Sequence, residues 1–350
     1  MHKKNRIGML CLLSIILILC AGCSNNKQVE GDQNNATTKP EVYHKAAKID
    51  EGTLKLDSNV LAVGKTLVTY KEALIYMYQL KEQYEPSLGT DIWSYQLEEE
   101  KTFEEYAKDE VMSEITQLKI ICQKAQEMGV VLEDDEKDEI TQMAKEYVQG
   151  LSEADIKKYG ITEELMNQIY SDNQLASKMF DITTNAVDTD ISDEEAKQIT
   201  IQYLMVMTKG EDKNGKSIDM SADEKVSAKK RAKKLLKEAK EEESFYNFAE
   251  SNTDDSTVEL TFGKADMPTE FGDAAFLLKT GEMSKLIETE SGFYILYCVS
   301  DYDKDATVLK KEEIISENQN KMFEDTYADW SKQFEIAVST SLWDQIHFVK

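Results

Sequence analysis

Histidine is nearly missing from this 350-residue chain, which has only His2, His44 and His347. That scarcity excludes a histidine-based catalytic triad and a histidine-rich metal site. Cysteine is scarce as well. Beyond residue 23 only Cys122 and Cys298 remain, each inside an apolar pattern, which predicts two buried free thiols and no disulfide. Positive charge is in deficit: 41 Lys and Arg stand against 67 Asp and Glu, a formal net charge of −26. Phosphate backbones need basic surface, so nucleic acid is excluded as a partner. An anionic membrane surface is disfavoured for the same reason, while the acidity favours solubility. No cofactor is expected.

The N-terminus has the form of a targeting segment. Lys3, Lys4 and Arg6 precede an apolar run, Ile7 to Leu19, that is too short for the usual membrane span. The run ends in Leu19-Cys-Ala-Gly-Cys23, which resembles a bacterial lipoprotein signal, with Cys20 where leucine is usual. The resemblance makes Cys23, which closes the signal segment 1–23, the lipid attachment point, kept when the residues before it are removed; an uncleaved anchor is the alternative. Buried acyl CH₂ groups contribute about 0.8 kcal/mol each, so more than one chain gives stable anchoring. Residues 24–50 are polar and aperiodic, which predicts a flexible tether and a folded body beginning near Asp50.

Residues 51–195 read as mainly helical. Val60 to Val63, Gly64-Lys65 and Leu67-Val68 predict a small hairpin. Thr69 with Glu72 three residues on predicts a capping box and a helix to about Tyr84, punctuated by Pro86 and Gly89. The next helix is expected from Phe103 to Met128, burying Val111, Ile115, Leu118, Cys122 and Ala125 and stopping at Gly129. Others are expected from Asp135 to Val148 and from Thr162 to about Thr184. Ser192 with Glu195 marks another cap, and a strand is expected over Ile199 to Met207. Asn214-Gly215 suits a type I′ turn. A helix over Ala222 to Glu241 would bury Val226, Ala232, Leu235, Leu236 and Ala239, leaving Lys229, Lys230, Arg231, Lys233 and Lys234 as a solvated face. A short helix follows at Phe245 to Ala249. After a polar exit, Asp301 to Ala306, a helix over Lys310 to Phe334 carries an apolar face (Ile315, Met322, Phe323, Tyr327, Trp330, Phe334) that needs a partner.

Phe262 to Cys298 carries the most specific signal. Met267 is followed four residues later by Phe271, then come Asp273-Ala-Ala-Phe276, Lys279-Thr-Gly-Glu282 and Thr289-Glu-Ser-Gly292. This run resembles the C-terminal half of a parvulin-type (PpiC-like) peptidyl-prolyl isomerase domain of the PrsA/SurA kind. The hairpin-then-helices order upstream is similar to the chaperone domain of those foldases. The resemblance implies an α+β chain: a helical domain over 51–195, an inserted parvulin-like domain over 196–302 with a small antiparallel sheet flanked by helices, and a C-terminal helix within 303–350 packing back on the helical domain.

It also implies the site. Met267, Phe271 and Leu260 would wall a proline slot. Tyr203 and Tyr294 stand where the family carries two facing histidines. Thr289 would hydrogen-bond to one of them, and Asp254 would take the family's Asp/Cys position, with Asp255 as the alternative register. The family's Gly-rich turn before the Met–Phe pair is replaced by Ser256 to Gly263, with one glycine. The function implied is a lipid-anchored, extracytoplasmic foldase for newly secreted, proline-containing polypeptides, with isomerase turnover weakened or lost. The rivals are a holdase using the parvulin fold only to bind peptides, and a solute-binding lipoprotein with two α/β lobes.

Overall fold

The computed structural model describes residues 43–98, 101–211 and 217–348. The leader, Cys23, residues 24–42 of the tether and the Asn214-Gly215 turn lie outside the described residues. The chain divides into two compact bodies: Met1–Ala186 with Gln319–Lys350, and Val187–Asn318. The second is thus inserted in the first, as expected. It also takes in residues 187–195 and 303–318, which the sequence had assigned to the helical domain.

In the first body, strands β1 (Asn59–Val63) and β2 (Thr66–Thr69) form the expected hairpin. Gly64 turns it at φ +52°, and an added Cβ there would press on His44 and Phe334 at 3.0 Å. Helix α1 (Tyr70–Leu88) follows directly and carries Pro86 within its last turn before ending at Gly89. The expected capping box is not formed: the Thr69 side chain makes no cap. Glu72 turns inward instead, its Oε1 2.6 Å from Lys119 Nζ with both side chains almost fully buried. A buried ammonium without a carboxylate costs far more than a helix cap contributes.

Strands β3 (Gln96–Glu98) and β4 (Lys101–Thr102) precede helix α2 (Phe103–Met128), which has a reciprocal Thr102–Glu105 cap and stops at a left-handed Gly129. Val111, Ile115, Leu118 and Ala125 are buried along it as expected. Cys122 is half-buried and free; Cys298, in the second body, is buried and free. Helices α3 (Asp134–Gln149), α4 (Glu153–Tyr159) and α5 (Glu163–Thr184) complete this half. Helix α4 was not anticipated, although Ser152 capping the Asp155 amide and a left-handed Gly160 mark its ends.

Lys119 joins three helices: its Nζ lies 2.6 Å from both Glu72 on α1 and Asp172 on α5. Burial would lower this ammonium, but the two carboxylates outweigh it and hold it above the usual lysine range. One turn on, Gln123 Nε2 donates to the Val63 carbonyl at 2.9 Å and ties α2 to the hairpin.

Glu114, also on α2, has no such cation. Burial, with the like charge of Glu110 adding to it, pushes its carboxyl up to about 7; the buried Tyr76 phenol of α1 lies close enough to feel its charge. The fold prefers the neutral acid, so its penalty is absent below the unfolded value near 4.5, grows between pH 4.5 and 7, and is complete above. Glu114→Gln is therefore expected to raise stability by roughly 2–3 kcal/mol at pH 7.5 and hardly at all at pH 4.5. Urea titrations of both chains at the two pH values check this; an equal effect at both would refute it.

In the second body, helix α6 (Asp193–Ala196) leads into strand β5 (Gln198–Met207) and the short pair β6 (Lys209–Glu211) and β7 (Ser217–Asp219). Helices α7 (Ala222–Ala239) and α8 (Phe245–Asn252), strand β8 (Glu259–Gly263), helix α9 (Thr269–Phe276), and strands β9 (Ile287–Glu288) and β10 (Gly292–Ser300) follow. The sheet is antiparallel in the order β8-β5-β10-β9. Its period of two sorts the side chains. Leu204, Val206, Phe293 and Ile295 pack with α7 and α8, while Ile201, Tyr203, Met205, Leu296 and Cys298 face Phe271 and Ala275 of α9. Gly292 allows the close approach of β10 to β5, since a Cβ there would collide with the Val206 carbonyl.

Val226 is 69 % exposed, against expectation. The buried stripe of α7 runs Ala228, Ala232, Leu235, Ala239, and Val226 lies about 200° around the helix from Ala228. Of the basic residues on this helix, Lys229 pairs with Glu288, Arg231 with Asp254 and Lys234 with Glu238.

Helix α10 (Lys304–Ser331) begins six residues before the expected Lys310. The Asp303 carboxylate accepts from the Ala306 amide, so the presumed polar exit is an N-cap. From Gln319 onward this helix belongs to the first body, where Phe323 and Trp330 join its core and Phe323 meets Phe180 at 5.2 Å. Strand β11 (Ile336–Val338), unforeseen, pairs with β1, giving the sheet order β11-β1-β2. Helix α11 (Thr340–Trp343) and buried Ile346 and Phe348 follow. The His44 amide donates to the Gln333 carbonyl at 2.7 Å, so the folded body starts ahead of Asp50. No described helix is long and apolar enough to cross a membrane.

Candidate peptide-binding site

Neighbouring antiparallel strands place same-face residues in diagonal pairs. Tyr203 on β5 is paired with Leu296, and Tyr294 on β10 with Met205, so the two tyrosines are diagonal neighbours on one face. Their ring centroids are 6.2 Å apart. Phe271 of α9 packs edge-on against both, at 6.1 Å from Tyr203 and 5.2 Å from Tyr294. Half-buried Leu260, from β8, and Met267 belong to the same apolar cluster. The expected slot residues Leu260, Met267 and Phe271 are thus brought together with both tyrosines.

The local geometry around Met267 differs from the expected helical turn. Met267 is extended, at φ −119° and ψ 158°, and α9 starts only after Pro268. The Pro268 carbonyl accepts from the Phe271 and Gly272 amides, which fixes where Phe271 points. Gly272 is required by close approach, because a Cβ would stand 2.9 Å from the Lys264 carbonyl.

The polar side of the site corrects one assignment. Tyr203 Oη donates to Asp255 Oδ2 at 2.9 Å and shares a hydrogen with Thr257 Oγ1 at 2.6 Å. Asp254 is turned away: its carboxylate takes two bonds from Arg231, at 2.7 and 2.8 Å, and one from the Met207 amide at 3.0 Å. One guanidinium nitrogen, Arg231 Nη1, charge-assisted on both oxygens, and a backbone donor outcompete a phenol for that carboxylate. The alternative register, Asp255, is the one at the site. Thr257 was missed because a threonine in a short polar loop carries no periodic signal.

Thr289, expected to bond to one of the tyrosines, lies beside Tyr294, and its hydroxyl donates to the Gly292 carbonyl at 3.2 Å. Burial is the main reason that Tyr203 is pushed up to about 12. Burial raises Tyr294 too, with the Asp255 charge adding to the effect. Both phenols stay neutral through the physiological range, and the Tyr203 hydroxyl is bonded to Asp255 and Thr257 rather than to Tyr294.

Rotation about an X–Pro bond crosses a barrier of ~18–20 kcal/mol set by amide resonance. It needs no nucleophile, only an apolar seat for the ring, exclusion of water and polar groups that favour the twisted amide.

Residues 205–300 match the family model described as Rotamase, the PPIC-type PPIASE domain. Together with the four-stranded sheet and the cluster beneath α9, that match defines a parvulin-type peptidyl-prolyl isomerase domain. Among curated relatives, the chain is 22 % identical over 289 residues to the foldase protein PrsA of Caldanaerobacter subterraneus subsp. tengcongensis, covering 79 % of this chain and 86 % of that one. It is 22 % identical over 256 residues to the foldase protein PrsA of Clostridium botulinum strain Langeland, covering 65 % and 72 %. The solved foldase PrsA of Lactococcus lactis aligns at 19 % identity over 84 % of this chain and 100 % of that one, with a TM-score of 0.34. Over most of its length the chain is thus similar to foldase proteins PrsA, and residues 205–300 carry the PPIC-type domain.

Proposed function

We propose that this foldase works outside the cytoplasm, held at the membrane by lipid on Cys23, and that its parvulin unit binds proline-containing segments with little isomerase turnover. The observation that supports low turnover is the commitment of the Tyr203 hydroxyl to Asp255 and Thr257, with a second phenol, Tyr294, packed beside it. A hydroxyl satisfied internally has little to offer a twisting client amide, while Leu260, Met267 and Phe271 still form an apolar seat for proline. The same observation favours the holdase reading of this domain. The solute-binding alternative fits poorly, since the first body is helical around a small hairpin sheet.

Tyr203→His combined with Tyr294→His tests the reading. Wild type is expected to isomerise a tetrapeptide at near-background rate with peptide still bound, unchanged between pH 6 and 9 because neither phenol titrates there. The double variant is expected to gain at least tenfold in kcat/KM and to acquire a pH dependence near neutrality, where imidazole titrates. A variant no faster than wild type would mean that the tyrosines do not limit turnover.

A further inference from the structure

Strand β8 is the outer strand of the second body's sheet, with β5 as its partner. The hydrogen-bond phase of that pair is fixed by the Tyr203 amide, which donates to the Val258 carbonyl at 2.8 Å. In an antiparallel ladder bonded and non-bonded pairs alternate. Val258, Leu260 and Phe262 therefore bond inward to β5, whereas the N–H and C=O groups of Glu259, Thr261 and Gly263 aim away from it. Gly263 confirms the phase, its amide donating outward to Asp266 Oδ2 at 2.7 Å. That leaves Glu259 and Thr261 as the open edge.

The side chains follow the same alternation. Leu260 and Phe262 lie on the face of the proline slot. Glu259 and Thr261 lie on the other, where they meet Gln202 and Thr200 at 2.8 Å each.

We propose that the open edge of β8 takes an extended client segment as an added antiparallel strand, selecting proline by phase and a basic residue beside it. A client residue opposite Leu260 or Phe262 places its side chain on the slot face and points its own N–H to solvent. Proline, which has no N–H, loses no ladder bond there and presents its ring to the slot. One residue out of phase, it would forfeit a bond to the Thr261 or Glu259 carbonyl and turn its ring to the wrong face. With proline opposite Leu260, the residue after it faces Glu259 and the one before it faces Thr261; among the described residues the exposed Glu259 carboxylate is engaged by Gln202 and by no cation. A lysine or arginine directly after the proline complements that charge. The inference rests on the slot reading given above.

The test uses the full chain and a fluorescein-labelled eight-residue peptide with Pro-Lys at its centre, followed by anisotropy. Thr261→Pro deletes one outward N–H at a position where an edge strand tolerates proline; Thr261→Val keeps the N–H and removes only the hydroxyl. Thr261→Pro is expected to weaken binding at least fivefold and Thr261→Val less than twofold. A second arm leaves the protein untouched. Methylating the peptide nitrogen of the residue after proline is expected to cost as much as Thr261→Pro, and methylating that of the residue two beyond proline to cost nothing. Replacing Lys by Glu in the peptide is expected to weaken binding several-fold.

Wild-type affinity in both the Thr261→Pro and the N-methyl arms would overturn the proposal. So would a concentration-dependent dimer, lost in Thr261→Pro, with peptide binding intact, since a second copy would then own the edge. Phe271→Ala separates the two readings. If it leaves binding unchanged the slot reading fails, and if it abolishes binding while Thr261→Pro does not, the slot stands and the edge contact falls.

Discussion

Lys119→Met is expected to cost the first body about 3–5 kcal/mol near neutral pH, the range for breaking a buried ion pair by removing one partner. The side chain sits between Glu72 and Asp172 at 2.6 Å from each and is 2 % exposed. Its removal leaves two carboxylates facing each other beside the fully buried Tyr76 phenol. Protonating them relieves the repulsion, so the loss should shrink toward pH 5. All three tryptophans, Trp93, Trp330 and Trp343, lie in the first body, so a urea titration followed by tryptophan fluorescence reports on that body alone. Replacing the three charges together (Glu72→Leu, Lys119→Met, Asp172→Leu) is expected to recover most of the loss, because a well-packed apolar substitute for a buried ion cluster is often neutral. A wild-type midpoint in the single variant would show that water reaches this cluster.

Phe348→Ala should have an effect of similar size, about 3–5 kcal/mol, typical of truncating a buried aromatic. Phe348 is 3 % exposed and stacks on Trp93 at 4.0 Å. Trp93 in turn contacts Phe103 at 5.4 Å and Tyr84 at 6.4 Å. The backbone here is clamped as well: Lys81 Nζ donates to the Phe348 carbonyl at 2.7 Å, and the Phe348 amide donates to Glu104 Oε1 at 2.8 Å. The fluorescence midpoint should drop, while peptide binding by the second body should persist at denaturant concentrations where the first has opened. Loss of both together would show that the two bodies unfold as one unit.

How much could be read from the residues depended on whether the deciding signal was local. Helices α2 and α5 were legible to within a residue because their ends carry side-chain caps or a glycine, and their stripes repeat every three to four residues. The antiparallel sheet and the gathering of Tyr203, Tyr294, Leu260, Met267 and Phe271 were implied by the parvulin resemblance that the short motifs of Phe262 to Cys298 carry. What escaped was decided at long range. Glu72 has the spacing of a capping residue, but Lys119, far along the chain, takes it. Strand β11 has only three residues and is a strand because β1 offers an edge. Asp254 and Asp255 are adjacent and chemically alike, and only Arg231 on a packed helix decides which one turns to the phenol. Val226 was misplaced by counting apolar residues without their helical angle.

Strand β1 lies between β2, next to it in the chain, and β11, near the chain's other end. The central strand of the first body therefore cannot be completed until residues 336–338 exist, and the clamp on Trp93 waits for Phe348. The inserted body has no such debt. During synthesis it can become compact first, and its compaction shortens the effective loop that must close between Ala186 and Gln319, lowering the entropy of that closure. The assembly order is thus written into the strand order: the insert matures early, and the body that surrounds it is sealed last.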